Sequence, residues 1–142
     1  MSDAKVRAAC EAAWNQFSDD CSGFVKEVGK QLGVAIAGNA NEIADSLSAG
    51  GGWTLLPDGR AAEAAARAGK LVVAGLRGDK QATKSTNGHV VVVVGGALAR
   101  DKYPPAYWGQ LHGVGQKDMT TNYAWVAADR DRVVYAARDI MA

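Results

Sequence analysis

Two short apolar segments constrain the fold more than any other feature of the sequence. They read KLVVAGL at 70–76 and HVVVVVGG at 89–96, and both are rich in β-branched residues. Such side chains suit an extended backbone, and an uninterrupted apolar run bounded by glycine is typical of a strand buried on both faces. We therefore predict that both segments are buried strands of a β-sheet.

Helical patterns precede these strands. Apolar residues recur at steps of three and four over 4–17, 21–32 and 40–48, and an alanine-rich segment follows at 60–69. Gly33 and Gly69 are expected to end the second and the fourth helix. Because helices come first and strands second, the order favours an α+β fold, with N-terminal helices packed on an antiparallel sheet, over a doubly wound fold.

The second half of the chain is harder to assign. The segment 102–116, KYPPAYWGQLHGVGQ, is rich in proline and aromatic residues and is predicted to be a connection. The segment 122–139, NYAWVAADRDRVVYAARD, is predicted to form two strands around a charged turn, with 133–137 the clearer of the two.

Size and charge exclude several classes of protein. The chain has 142 residues, which fits one domain spanning 1–142 with its own hydrophobic core. Its 16 Lys and Arg residues nearly balance 15 Asp and Glu residues, so nucleic acid and anionic membranes are not expected as partners. No apolar run approaches the roughly 18 residues of a membrane span, and the first residues lack a signal-peptide pattern. We expect synthesis in the cytoplasm without Sec-type export.

A cysteine stands where the second helix should begin. In SDDCSGFV, Asp20 or Asp19 suits the N-cap, which puts Cys21 in the first helical turn. Free backbone N–H groups and the helix dipole there favour a thiolate, and the same groups could hold an oxyanion. The two aspartates oppose a thiolate, so a reactive Cys21 needs a proton-accepting partner. A half-buried structural cysteine is the alternative.

Two histidines are available as that partner. His89 directly follows Gly88 at the start of the most apolar strand, a rigid position from which it could take the Cys21 proton. His112 lies in a predicted loop and is the rival base, and a surface or structural role is the alternative for His89. The two cysteines and two histidines lack metal-ligand spacing, so no metal or other cofactor is expected. Cys10 is expected to be a buried, free thiol on the first helix, because a disulfide with Cys21 needs a specific geometry.

DCSGFV at a helix start followed by GHVVVV at a strand start resembles the NlpC/P60 papain-like peptidoglycan amidases. The order and spacing of further segments narrow the resemblance to the type VI secretion amidase effectors of family 1. These segments are DCSGFVKEVGKQLGV, GNANEIADSL, GGWTLL, VVAGLRG, GHVVVVVGG, DKYPPAYWG and DRDRVVYAA. The resemblance covers nearly the whole chain and implies a papain-like fold in which the cysteine helix packs on an antiparallel sheet.

The resemblance also implies a function. Members of this family are antibacterial toxins that the type VI machinery delivers into the periplasm of a rival cell. There they cut the peptidoglycan stem peptide between D-glutamate and meso-diaminopimelate, and a cognate immunity protein blocks the active site. We expect this chain to be a monomer. By motif match, Cys21 is the nucleophile and His89 the general base. Papain-like enzymes usually have a third polar residue that orients the histidine, and among Tyr107, Trp108 and Gln110 none is a clear candidate.

Three other functions remain open at this point. A housekeeping NlpC/P60 cell-wall hydrolase would share the motif but normally carries a signal peptide or a wall-binding module. A non-catalytic peptidoglycan-binding module with a degenerate cleft would not need both Cys21 and His89. A thiol-redox protein would use Cys10 together with Cys21. The sequence does not identify the preferred stem peptides, the immunity protein or the residue that orients His89.

Overall fold

The computed structural model describes residues 2–140, in which four α-helices and six β-strands alternate with three short 3₁₀ helices. The helices are α1 Ala4–Phe17, α2 Cys21–Gln31, α3 Ala40–Ser48 and α4 Gly59–Arg67. The strands are β1 Thr54–Leu56, β2 Leu71–Leu76, β3 His89–Val93, β4 Pro105–Trp108, β5 Gln116–Thr120 and β6 Val134–Arg138. The 3₁₀ helices span Gly78–Lys80, Thr121–Tyr123 and Arg130–Arg132.

The six strands form one antiparallel sheet in the order β1-β6-β2-β3-β4-β5. β2 and β3 lie at its centre, with Val72 opposite Val93 and Leu76 opposite His89. Every residue of both strands is buried, so the prediction of two buried strands is confirmed. The α+β class with N-terminal helices on an antiparallel sheet is likewise confirmed.

Each face of the sheet carries its own hydrophobic cluster. Alternate side chains of β2 and β3 point to opposite faces, as the pleat of a strand requires. α1, α2 and α3 cover one face, where Phe24, Val28, Ile43, Leu71, Val90 and Val92 are fully or almost fully buried. α4 and the segment after β5 cover the other face, where Ala62, Ala66, Val91, Val93, Trp108 and Trp125 pack together.

Local capping sets the ends of the helices that carry the site. α2 begins after Asp20, and Gly33 ends it with a φ of 75°, a left-handed conformation that glycine adopts without strain. α3 begins with a capping box in which Asn39 accepts from the N–H of Glu42, whose carboxylate accepts from the N–H of Asn39. The predicted bounds of α1, α2 and α3 agree with these to within one residue.

Two predictions for the second half are wrong. The segment 102–116 contains β4 and the first residue of β5, because Pro105 starts a strand and its carbonyl still accepts from Val94. The segment 122–126 is no strand; it continues from a 3₁₀ turn and lies over one sheet face, where Trp125 is buried. Only the second predicted strand of that pair exists, as β6.

A polar cluster ties the first helix to the far end of β3. The Asp3 carboxylate accepts from the Gly95 N–H and from the Arg7 guanidinium, both at 2.8 Å. Arg7 also donates to the Gly95 carbonyl at 2.6 Å and pairs with Asp118 at 3.3 Å. None of the helices described over 2–140 has the length and apolar character needed to cross a membrane.

Candidate active site

Cys21 is the first residue of α2, and its position depends on the cap that precedes it. Asp20 is extended, with φ −146° and ψ 103°, and its carboxylate accepts from the Gly23 N–H at 3.0 Å. The Ser22 hydroxyl donates to the same oxygen at 3.2 Å. These bonds fix the first helical turn, with Asp20 as the N-cap and Cys21 in the first turn, as the sequence predicts.

The sulfur of Cys21 lies against the start of β3. Its Sγ is 3.9 Å from the carbonyl oxygen of Gly88, within range of a weak S–H···O bond. A Cβ on residue 88 would come within 2.7 Å of Asn41 Oδ1 and 3.1 Å of the Leu76 carbonyl oxygen. Glycine at 88 therefore allows a close approach of Asn41 and of the Leu76 backbone that a larger residue would crowd.

Cys21 and His89 line one groove of about 470 Å³. The rival base His112 lies in the wall of the same groove, on a loop where its φ is 62°. Over residues 2–140 no direct hydrogen bond joins the Cys21 sulfur to the His89 ring. The other lining residues are Asp20, Ser22, Asn39, Ala40, Gln81, Thr83, Ser85, Asn87, Gly88, Gln110, Leu111, Ala124, Trp125, Val126 and Asp129.

Burial sets the charge state of the thiol. Burial raises the pKa of Cys21 above its ordinary value, and the negative charge of Asp20 raises it further. Backbone N–H groups of Val90, Ser22 and Cys21 itself act in the opposite direction, but they do not outweigh burial. The N–H groups at the helix start thus favour the thiolate, as the sequence predicts, but desolvation, a property of the packed fold, raises the pKa of Cys21 overall.

Burial also sets the charge state of the imidazole. His89 is 9% exposed, and burial lowers its pKa to about 4. Its Nε2 is shut off from solvent and has no hydrogen-bond partner in the described part of the chain. The ring packs edge-to-face against Trp125 at a centroid distance of 5.3 Å and against Trp108 at 6.3 Å. At neutral pH the groove therefore holds a neutral thiol and a neutral imidazole.

Hydrogen bonds from distant segments hold the walls of the groove. The N–H groups of Gln110 and Gly115 both donate to the Ser18 carbonyl, at 3.1 and 2.8 Å, which fixes the 109–115 loop to the turn before α2. The buried carboxylate of Asp129, which also lines the groove, accepts from the Ala82 N–H at 2.8 Å. The groove is thus built from five separate parts of the chain that only tertiary folding brings together.

The remaining residues named in the sequence analysis lie in different environments, and not all of them reach the groove. Cys10 is fully buried on α1 and is free, as expected, and Cys21 is also free. Tyr107 donates to the Glu11 carboxylate at 2.8 Å, which takes its hydroxyl out of consideration as a partner of His89. Gln110 reaches the groove wall, and Trp108 contacts the His89 ring.

Trp125 is the site residue that sequence reasoning missed. It stands in a segment that was predicted to be a strand, and nothing in its local pattern indicates proximity to His89. The only available signal was its aromatic character within a chain that has four tryptophans, two of which lie elsewhere.

A larger cavity lies elsewhere and has different chemistry. It measures about 700 Å³ and is bordered by Tyr103, Tyr135 and the charged residues Arg60, Arg100 and Asp131. It contains neither a cysteine nor a histidine, so it offers no nucleophile and base pair. Within residues 2–140, no group of three or more His, Cys, Asp or Glu side chains is close enough to hold a metal ion.

One curated relative is similar along almost the whole chain. It is the peptidoglycan amidase Tse1 of Pseudomonas aeruginosa, 40% identical over 144 aligned positions that cover 94% of this chain and 88% of the relative. No protein-family model matches the sequence.

Proposed function

Because this chain belongs to the peptidoglycan amidase family of Tse1, the type VI secretion amidase effectors of family 1, we propose that it is a cysteine amidase acting on the peptidoglycan stem peptide. The proposed bond joins the γ-carboxyl of D-glutamate to meso-diaminopimelate, with Cys21 as nucleophile and His89 as general base and acid. The observation that carries the proposal is the groove that Cys21 shares with His89, where the sulfur contacts the residue directly before the imidazole.

The proposed reaction proceeds in two stages. The Cys21 sulfur attacks the γ-carbonyl carbon of D-glutamate while His89 accepts the thiol proton, and the N–H groups of the first turn of α2 stabilise the oxyanion. His89 then gives its proton to the diaminopimelate amine as the C–N bond breaks. Water, deprotonated by His89, hydrolyses the thioester and restores the Cys21 thiol.

The neutral resting pair determines when the proton moves. The pKa of Cys21 is raised and the pKa of His89 is lowered to about 4, so both burial effects disfavour a thiolate–imidazolium pair before substrate binds. We propose that proton transfer accompanies attack on the carbonyl rather than preceding it. His89 Nδ1 is the proposed base, because Nε2 is shut off from solvent and has no hydrogen-bond partner among residues 2–140.

The test is mass spectrometry of purified muropeptides after incubation with matched variants. Cys21→Ala is expected to lower turnover by about 10³-fold or more, and His89→Gln to do comparable damage, because the two residues act as a unit. Cys10→Ala should remain active, and His112→Gln should retain far more activity than His89→Gln. Near-normal product release by Cys21→Ala would contradict the proposal, and products cut at another bond would correct the substrate assignment.

The proposal extends to the cellular setting of the family. We propose that residues 1–142 form a single, monomeric amidase domain that the type VI machinery delivers to the periplasm of a target cell. There the groove meets its substrate, and in the producing cell an immunity protein covers it. The side chains of Leu111 and Val126, 43% and 61% exposed, give the groove an apolar rim that suits a protein partner.

Expression of the protein directed to the periplasm of a Gram-negative host tests this setting. It should cause lysis, and Cys21→Ala should abolish that lysis. Survival of cells that contain active enzyme would contradict the proposed setting.

The other functions have less support. A thiol-redox role is opposed by the full burial of Cys10 and by the free state of both thiols. A degenerate binding module would not explain a groove that contains both a cysteine and an imidazole. A housekeeping wall hydrolase would share the same site chemistry, so only the cellular experiment separates it from an effector.

A further inference from the structure

The imidazole of His89 has aromatic rather than polar neighbours. Its Nε2 is enclosed and has no hydrogen-bond partner among residues 2–140. Trp125 lies at a centroid distance of 5.3 Å with an interplanar angle of 68°, and Trp108 at 6.3 Å and 88°. Both geometries are edge-to-face, the arrangement in which the positive edge of one ring meets the negative face of another.

We propose, building on the proposed function, that Trp125 and Trp108 are the positioning residues of His89 and take the place of a polar third residue. A polar third residue holds a catalytic histidine through one directed hydrogen bond. Two indoles approaching at steep angles restrict rotation of the imidazole by packing instead. Both indoles act through His89 and are not themselves catalytic.

Two parts of the fold hold these indoles in place. Trp108 is the last residue of β4 and is 2% exposed, so the sheet itself fixes it. Trp125 is 6% exposed and lies in an irregular segment, where the Arg130 guanidinium donates to its carbonyl at 3.2 Å and to that of Asn122 at 2.9 Å. A rigid support of this kind is what positioning requires, because catalysis is sensitive to small displacements of a base.

The indole faces also suit the charge that develops during the reaction. A π face attracts an N–H group and, more strongly, a cation. The inference is that the enclosed Nε2 meets such a face, which would favour a proton on Nε2 and the imidazolium formed as Cys21 loses its proton. A proton on Nε2 leaves Nδ1 free to act as the base. The indoles therefore select the reactive tautomer without a carboxylate or amide.

Other titratable groups also line the groove that contains His89. They are Cys21 and Asp20 on the α2 side, His112 on the 109–115 loop and Asp129. The Asp129 carboxylate is already bound to the Ala82 N–H and paired with Arg132. Burial is the cause of the lowered pKa of His89, and the two indoles are part of the packing that keeps water from its ring.

Imidazole NMR of the intact protein tests the tautomer directly. The chain has only two histidines, and His112→Gln assigns their signals. We expect His89 of the wild-type protein to carry its proton on Nε2 at neutral pH. A proton on Nδ1 would overturn the inference, and the His89 tautomer itself is measured in the wild-type protein.

Variants of Trp125 test the positioning role. Trp125→Met keeps an apolar side chain without a π face, and we expect it to raise the pKa of His89 by about one unit as water enters. It should lower kcat about tenfold with KM changed by less than about threefold, and shift the acid limb of kcat/KM to higher pH. Trp125→Phe keeps an aromatic ring and should restore most of kcat and the original acid limb.

Trp53→Met is the matched control, because Trp53 stacks on Arg138 away from the groove. The inference fails if Trp125→Met and Trp53→Met have the same kcat and the same acid limb in the pH profile of kcat/KM, while Cys21→Ala is inactive. That outcome would leave the proposed function intact. If instead the wild-type protein releases no product, the proposed function fails, and the NMR measurements still decide whether the indoles set the tautomer and pKa of His89.

Discussion

Asp20 acts on Cys21 in two opposing ways. Its carboxylate caps α2 through the Gly23 N–H, which positions the cysteine, and its negative charge raises the pKa of the thiol. Asparagine retains the capping oxygen but carries no charge, so the two effects are separable.

We expect Asp20→Asn to lower the pKa of Cys21 and to leave the free energy of unfolding nearly unchanged. Asp20→Ala should also remove the cap and cost about 1 kcal/mol of stability. The pH dependence of Cys21 alkylation by iodoacetamide measures the first effect, and urea unfolding measures the second. An alkylation profile of Asp20→Asn identical to that of the wild type would show that the charge of Asp20 does not reach the sulfur.

The buried imidazole of His89 makes stability depend on pH. The folded state holds the pKa of His89 at about 4, whereas the ordinary value of 6.5 applies once the chain unfolds. Between these values the unfolded state binds more protons, so stability rises with pH in this window. The stabilising contribution is fully present above pH 6.5 and is lost as the pH falls towards 4, by about 3 kcal/mol in total.

His89→Gln removes this titration. We therefore expect the difference in unfolding free energy between wild type and His89→Gln to change by about 3 kcal/mol between pH 7 and pH 4, in favour of the variant at low pH. Urea unfolding at a series of pH values measures it. Parallel pH profiles would mean that His89 is not enclosed in solution.

At the residue scale, only part of the site was predictable from sequence. Cys21 and His89 stand at the starts of a helix and a strand, where glycine and capping residues give a local signal. The pKa directions depend on burial, which no local pattern encodes, so the N–H groups at the helix start lower the pKa of Cys21 as expected without setting its overall direction. Trp125 comes from a loop whose distance to His89 is set by tertiary packing alone.

Among the elements, β3 differs from strands that have one solvated face. Val91 packs under the segment that carries Trp125, and Val92 packs under the helices, and both are 0% exposed. We expect Val91→Ala and Val92→Ala each to cost about 2 kcal/mol of unfolding free energy, because both leave a cavity. Val114→Ala, at a position 69% exposed, should change stability by less than about 0.5 kcal/mol. Thermal or urea unfolding measures all three, and a neutral Val91→Ala would contradict burial of that face.

The bounds of an element were predicted correctly where its apolar periodicity agreed with residues that mark helix ends. α1 to α3 have clear apolar periodicity, and Asp20, Gly33 and Asn39 mark helix ends. β4 was missed because Pro105 and the neighbouring aromatic residues resemble a connection, although a proline is acceptable at the first position of a strand. The strand predicted at 122–126 was wrong because its aromatic residues cover the sheet face instead of extending its edge.

On the scale of the whole molecule, Arg7 connects parts of the chain that are far apart in sequence. It joins α1 to the end of β3 through the Gly95 carbonyl and to β5 through Asp118. We expect Arg7→Met to cost about 2 kcal/mol of unfolding free energy, because it removes charge-assisted hydrogen bonds from a partly buried site. Arg60→Met, on the exposed side of α4, should change stability by less than about 0.5 kcal/mol in the same urea experiment. Equal effects of the two substitutions would contradict the role of the Arg7 cluster.

Fold class and strand order were predictable to different degrees. The order of the predicted elements, with helices before strands, correctly indicated an α+β fold with an antiparallel sheet. The position of β6 between β1 and β2 was not predictable, since strand order depends on which edges meet during folding and not on local pattern.

That position of β6 has a consequence for biosynthesis. While a ribosome is still making the later part of the chain, the β2 segment Leu71–Leu76 lacks the neighbour that will cover one of its hydrogen-bonding edges. An uncovered edge on an entirely apolar strand is a template for pairing with other nascent chains. Fragments that stop before β6 should therefore accumulate as insoluble aggregates, and amidase activity should arise only after translation has passed this last strand.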